Sequence, residues 1–475
     1  MANGRTVILM NQLQTEGTQA VMMPARENNE DLLPTILGTK AASLGVPESC
    51  VPWPLDMNHS GGSTPDQTAK ILKSLRKSGE YGQWKWPKRP VVFISDLHAD
   101  AESLVRSLVA AGVVQSHEHD TDDFDLTDFG RSCVLVIGGD CLDKGPSNLD
   151  LLNCLKRLIE TGVRIKLLAG NHDLRLLLGV RALTSDRSPL TEHMFIRMGN
   201  KVLPLLREVY DKHVAPTNAL ESAPDLETCR DRIFPSEAWQ IDFPEAAAKH
   251  LGEAAIQKEL RRLRKKIATF EEASLSVGLD MRMLYAAAMK CKELFLEPDG
   301  LYAWFYDRMR AIYKNGSVLF VHAGLDDHIC TEIDENGVSH INQLFREQVY
   351  QDPFTFYSGT VANIMRTKYR AVDKQLSSNG VERLHHAGVK ILVHGHINRD
   401  RGQRLKTMKG LLHLEADITL DRNSRKLEGL RGIGIGATIV LPNGNIVGFS
   451  NDFPYAKVLT PEIHMTKAAL QHDGT

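Results

Sequence analysis

The chain has 475 residues at 52.9 kDa, with 42% hydrophobic and 24% charged residues. Those shares are ordinary for globular proteins and exclude a collagen-like or wholly disordered chain; the length fits two to four domains, or one large domain with insertions. Lys+Arg 57 against Asp+Glu 59 gives a net charge of −2, which excludes a chain-wide basic field for nucleic acid. No apolar run reaches the ~18 residues that cross a bilayer, and the N-terminus lacks the apolar core of a signal peptide. No membrane partner is expected. The seven cysteines include no Cys-x-x-Cys pair. They read as free thiols in a reducing, cytoplasmic setting, not as a disulfide frame or a zinc ribbon.

Residues 1–88 are rich in turns, with loops at Asn28-Asn29, Gly45-Val46-Pro47 and Ser60–Ser63, and read as an N-terminal extension of unassigned role. Their clearest element is a helix that Thr64 caps, Pro65 opens and Gln67 completes as a capping box, ahead of Ile71, Leu72 and Leu75. From residue 91 the pattern changes. Val91–Ile94, Val134–Ile137 and Ile165–Leu168 are short apolar runs suited to buried strands. Helical periodicity over residues 101–111, and along Leu149, Leu152, Leu155 and Leu158, lies between them. This β-α-β-α-β order predicts a sheet with parallel strands and right-handed crossovers.

Between residues 174 and 312 the strand signal disappears. The stripe Leu251, Ile256, Leu260, Leu263, Ile267, Phe270 and the segment Met281–Leu296 predict helices. Residues 176–311 therefore read as a helical insertion with room to cap a site. The basic run Arg261, Arg262, Arg264, Lys265, Lys266 has no interleaved aromatics and reads as a solvated helix face. Further strands are expected at Ser317–Val321, Val389–Val393, Gly436–Leu441 and Ile446–Ser450, the last two joined by a turn at Pro442-Asn443-Gly444-Asn445. The α/β domain thus spans 89–175 and 312–455, and 456–475 form a C-terminal tail.

Each strand candidate ends in a polar cluster. These are Asp96-Leu97-His98, Gly139-Asp140-Cys141-Leu142-Asp143-Lys144-Gly145, Gly170-Asn171-His172-Asp173, His322-Ala323-Gly324 and His394-Gly395-His396. In open α/β sheets, ligands bind beyond the carboxyl ends of strands, so the clusters should converge. Asp and His with one Asn, and no Cys, suit borderline divalent metals such as Mn, Fe or Zn. Any one cluster is explained by an ordinary turn or a buried histidine. Five in order, each directly after an apolar run, are not explained by independent turns.

The ordered set resembles the calcineurin-like metallophosphoesterases, and Gly139–Gly145 resembles their phosphoprotein-phosphatase branch. The resemblance covers about residues 91–175 and 312–452. It implies an α/β/β/α sandwich of mixed sheets, two metal ions (Mn, Fe or Zn) and a phosphorylated protein or small molecule as substrate. On the matching positions, Asp96 and His98 would bind the first metal, Asp140 both, and Asn171, His322 and His396 the second. His172 would be the catalytic histidine, oriented by Asp143. Lys144 stands where that branch has Arg, offering a point charge in place of a bidentate fork. Asn398 stands where many members carry a further histidine ligand. Arg366 and Arg370 are the candidates for the branch's phosphate-binding arginine, and His394 would lie behind His396. The 149 positions from Asp173 to His322 leave room for a cap.

The implied activity is phosphomonoester hydrolysis by a metal-bridging hydroxide. A nucleotide or dinucleoside-polyphosphate hydrolase, or a phosphodiesterase, is the enzymatic alternative. A binding scaffold with a degenerate site is the non-enzymatic one, disfavoured because every expected ligand is present.

Overall fold

The computed structural model describes residues 43–53, 65–116, 121–371 and 373–464. The expected cap at Thr64, the loops at 28–29 and 60–63 and most of the C-terminal tail lie outside them. In chain order the elements that frame the site begin with β1 (Cys50–Trp53), α1 (Pro65–Glu80), β2 (Val91–Ile94) and α2 (Ala101–Ala110). They continue with β3 (Val134–Ile137), α3 (Asn148–Glu160), β4 (Arg164–Leu168) and α4 (Asn171–Thr184). The insertion contributes α5 (Met194–Met198), α6 (Leu203–Val209), α7 (Glu253–Ser276) and α8 (Met281–Leu296). After it come β5 (Met309–Arg310), β6 (Ile312–Asn315), β7 (Val318–Val321), α9 (Asp327–Val349), α10 (Pro353–Ser358) and β8 (Ile391–His394). The chain closes with β9 (Arg404–Met408), β10 (Leu411–Glu415), β11 (Gly436–Val440), β12 (Ile446–Ser450) and β13 (Ala456–Leu459).

Local chemistry sets several of these boundaries. Asp100 caps α2 by accepting from the Ser103 N–H, and Ser147 caps α3 by accepting from the Asp150 N–H. The strands build two mixed sheets. One runs β1-β13-β12-β11-β2-β3-β4-β5, the other β9-β10-β8-β7-β6. Strands β2 to β5 are mutually parallel, as are β7, β8 and β10, so the five polar clusters follow parallel strand ends. Between the sheets, Val91, Phe93 and Val136 pack toward Phe320, Val393 and Leu414. The Phe93 and Phe320 rings stack with centroids 5.7 Å apart. Helices outside both sheets complete the expected sandwich.

Three segments assigned by pattern to the flanks enter the sandwich. β1 pairs in parallel with β13 at one sheet edge. α1 lies over β9 and β10, and its Ile71 and Leu75 are fully buried in the shared core. Strands β6, β9, β10 and β13 carried no clear sequence signal. The insertion is helical and tied to the sandwich. Glu208 on α6 accepts hydrogen bonds from Ser147 Oγ (2.9 Å) and the Asn148 and Leu149 N–H groups (3.0 Å each), at the N-terminus of α3. Within the basic run, Lys266 turns inward and donates to the Arg197 carbonyl. Among the described residues no helix is long and apolar enough to cross a membrane.

Candidate metal centre

Backbone contacts fasten the loops after β2, β3 and β4 to one another. The Asp96, His98 and Ala99 N–H groups donate to the carbonyls of Gly139 (3.0 Å), Asp140 (2.9 Å) and Cys141 (2.7 Å). The buried Asp173 carboxylate accepts from the N–H groups of Gly170 (2.9 Å), Asp140 (2.9 Å), Cys141 (2.8 Å) and Leu142 (3.1 Å). Asp96, His98, Asp140, Asp143, Lys144 and His396 all hold left-handed backbone, with φ between 43° and 73°. Such conformations are unfavourable for residues with a Cβ and persist where surrounding contacts enforce them. Gly139 (φ 87°) abuts Gly170, where a Cβ would strike the neighbouring loop. At Gly395 a Cβ would occupy the space of Ser95 and the Asp96 carboxylate.

The convergence produces two ligand clusters. In each of Asp96, His98, Asp140 and Asp140, His322, His396, the ligand atoms lie within 4.8 Å of one another, and Asp140 belongs to both. His98 Nδ1 bonds the Leu142 carbonyl (3.1 Å) and His322 Nδ1 the Gly138 carbonyl (2.8 Å), so each presents Nε2 to the cluster. His322 Nε2 is 3.4 Å from Asp140 Oδ1 and 3.4 Å from Asn171 Oδ1. His396 turns Nδ1 to the same point, 2.9 Å from the Asn171 side-chain oxygen, which faces only acceptor atoms; acceptors gathered this way are what a shared cation would satisfy. The donor set of carboxylates, imidazoles and one amide oxygen therefore fits divalent metal ions. The electrostatics agree. Burial lowers the His98 imidazole to about 3, helped by Lys144, and so keeps it neutral as a ligand must be. Burial also opposes charge on His322, yet the Asp140 and Asp96 carboxylates hold it up to about 10. The cluster thus draws positive charge to itself.

Beside it, His172 Nδ1 lies 2.8 Å from Asp143 Oδ2, and Nε2 faces the cluster, 4.0 Å from Asp140 Oδ2. Burial pushes Asp143 up to about 7 and His172 well below its ordinary range. Lys144 Nζ sits 2.7 Å from His98 Nε2, at the mouth of the first cluster. A cavity of about 200 Å³ opens from Asn171 and His396, and Arg366 lines it. Arg370 is not brought there; it pairs with Asp373 at 3.0 Å and is half exposed. Asn398 is exposed. His394 is fully buried beside His413, with ring centroids 5.5 Å apart, and bonds the Gly395 carbonyl (3.0 Å).

Sequence reasoning did not single out three residues here. Arg175, one helical turn beyond His172, reaches Asp143 Oδ2 at 3.3 Å and lines the cavity; its i+3 spacing from His172 was the available signal. Asp173 appeared only as the end of a motif. Asp417 is buried, and its carboxyl is pushed well above the usual range by burial and then by Asp96, but nothing local in the sequence marks it.

Residues 89–224 match the family model for calcineurin-like phosphoesterases. No curated protein matches the chain. Among solved structures, the chain is similar to a cold-active protein tyrosine phosphatase, at TM-score 0.42 and 15% identity over 78% of each chain. It is also similar to a cold-active protein-tyrosine phosphatase of a psychrophilic Shewanella species, at TM-score 0.37 and 15% identity over 78% of this chain and 80% of that one. A serine/threonine phosphatase from Saccharomyces cerevisiae aligns at TM-score 0.33 and 12% identity, over 80% and 84%.

Proposed function

We propose that this chain, whose residues 89–224 match the calcineurin-like phosphoesterase family model, is a phosphomonoesterase that works with two metal ions. The observation that carries the reading is the sharing of Asp140 by two ligand clusters, with the His172–Asp143 pair beside it. When bound, ions held by Asp96, His98, Asp140, Asn171, His322 and His396 supply Lewis-acid polarisation of a phosphoryl oxygen and an acidified water. The chain's own residues do the rest. Asp143 holds the His172 ring so that Nε2 faces the cleft; burial disfavours a charged ring, so the negative charge of a bound phosphate must favour its protonation before Nε2 can protonate the departing alkoxide. Arg366 and Lys144 offset charge on the phosphoryl oxygens. The cavity of about 200 Å³ beside the clusters offers room for a leaving group.

Asp140→Asn should abolish hydrolysis of an aryl phosphate and lower bound Mn²⁺ per chain, because one residue serves both clusters; near-wild-type turnover would sink the assignment. A Mn²⁺-supplemented comparison of an aryl phosphate, a bis-aryl phosphate, phosphopeptides and dinucleoside polyphosphates tests the ester class. Activity on the diester alone would overturn the monoesterase reading.

A further inference from the structure

Tyr357, on α10, is shared by two guanidinium groups. The central carbon of Arg197 lies 3.8 Å from the ring centre and that of Arg366 lies 4.4 Å from it. Arg197 belongs to α5 of the insertion. It donates from Nη2 to the Tyr357 hydroxyl and from Nε to the Glu259 carboxylate on α7, with Nη2 a further 3.4 Å from that carboxylate. Arg366 belongs to the sandwich, and among the described residues no carboxylate pairs with it. Arg197, Tyr357 and Arg366 all line the cavity that opens from Asn171 and His396. The two cations draw the phenol's pKa down against the opposing effect of burial.

We propose that Tyr357 is a positioning residue: its ring and hydroxyl hold Arg197 and Arg366 as one unit on the cavity wall, so that the helical insertion sets where Arg366 presents its charge. The proposal rests on the reading of Arg366 as a phosphate-binding residue. An arginine with no carboxylate partner samples many rotamers and loses them on binding an anion. A π face restricts that freedom in advance. Two guanidiniums over one ring also repel each other, and Glu259 compensates only Arg197. The uncompensated charge falls at Arg366, where a phosphoryl group would arrive.

The test uses the full chain loaded with Mn²⁺, an aryl phosphate as substrate and inorganic phosphate as competing ligand. Tyr357→Leu should raise KM and the phosphate inhibition constant about tenfold while kcat stays within about threefold, the size expected for losing one stacked, ordered cation contact. Tyr357→Phe keeps the ring but loses the hydroxyl to which both guanidiniums bond, and should give a KM between those of the wild type and Tyr357→Leu; a KM equal to that of Tyr357→Leu would overturn the role of the ring. In an Arg366→Ala background, adding Tyr357→Leu should change KM less than about twofold, because the partner it acts through is gone. If Tyr357→Leu does not fold, Tyr357→Met fills the volume without a π face and should show the same KM rise. An unchanged KM in Tyr357→Leu or Tyr357→Met, with KM raised in Arg366→Ala, overturns the positioning role alone. So does an equally large loss in the Arg366→Ala background. An unchanged KM in Arg366→Ala itself overturns the phosphate-binding reading beneath it.

Discussion

His172 faces two ways, with Nδ1 bonded to Asp143 and Nε2 turned to the clusters. A group so placed matters in proportion to how badly the leaving oxygen needs a proton. His172→Ala should lower kcat on an alkyl phosphate about 10²–10⁴-fold, with a much smaller loss on a nitrophenyl phosphate, whose leaving group departs as an anion. Equal losses on both esters, with metal content intact, would count against the general-acid role. At this scale the sequence was most readable where a side chain's neighbours are also its neighbours in the chain. Asp96 and His98, or Asn171 and His172, announce themselves as pairs. Arg175 and Asp173 do not, because their roles depend on Asp143 and on the Asp140 loop, some thirty positions upstream. Arg366 and Arg370 were equivalent on the page of letters. What separates them is Asp373, which engages Arg370 and leaves Arg366 for the cavity.

Among the elements, the continuous apolar runs β2, β3, β7 and β8 were legible because both faces of those strands are covered. β9 was not, because Arg404, Lys406, Thr407 and Met408 face partly outward and only Leu405 enters the core. β6, with Tyr313, Lys314 and Asn315 half-buried, hid for the same reason. The helix α1 was foreseen, but its place was not. A helix far from the motifs looks dispensable in sequence, whereas here Leu75 is fully buried under β9 and β10, and Ser74 touches Thr407. Leu75→Ala should therefore cost about 2–5 kcal/mol, as other large-to-small changes in a closed core do. Urea unfolding measures it; a midpoint shift near zero would show that the helix carries little of the core.

For the molecule as a whole, the candidate metal centre would also bear on stability. Asp96, Asp140, His98 and His322 are all almost completely buried, and the two carboxylates have no lysine or arginine ion-paired to them among the described residues. A bound cation compensates that burial, so Mn²⁺ should raise Tm and EDTA should lower it. The stabilisation reaches about 2.7 kcal/mol per ion when free metal is a hundredfold over its Kd. The Mn²⁺-dependent shift should vanish in Asp140→Asn; a Tm indifferent to metal in the wild type would contradict the site. The left-handed backbone at Asp96, His98, Asp140, Asp143, Lys144 and His396 carries a related consequence. Each such residue is held roughly 1–2 kcal/mol above a relaxed conformation, though the short polar ones less. Glycine would relax every one of them and erase the functional side chain in the same stroke. The places where this scaffold could most readily be made hardier are therefore the places where it would stop being a catalyst, and a lineage selected for endurance alone would lose its chemistry first.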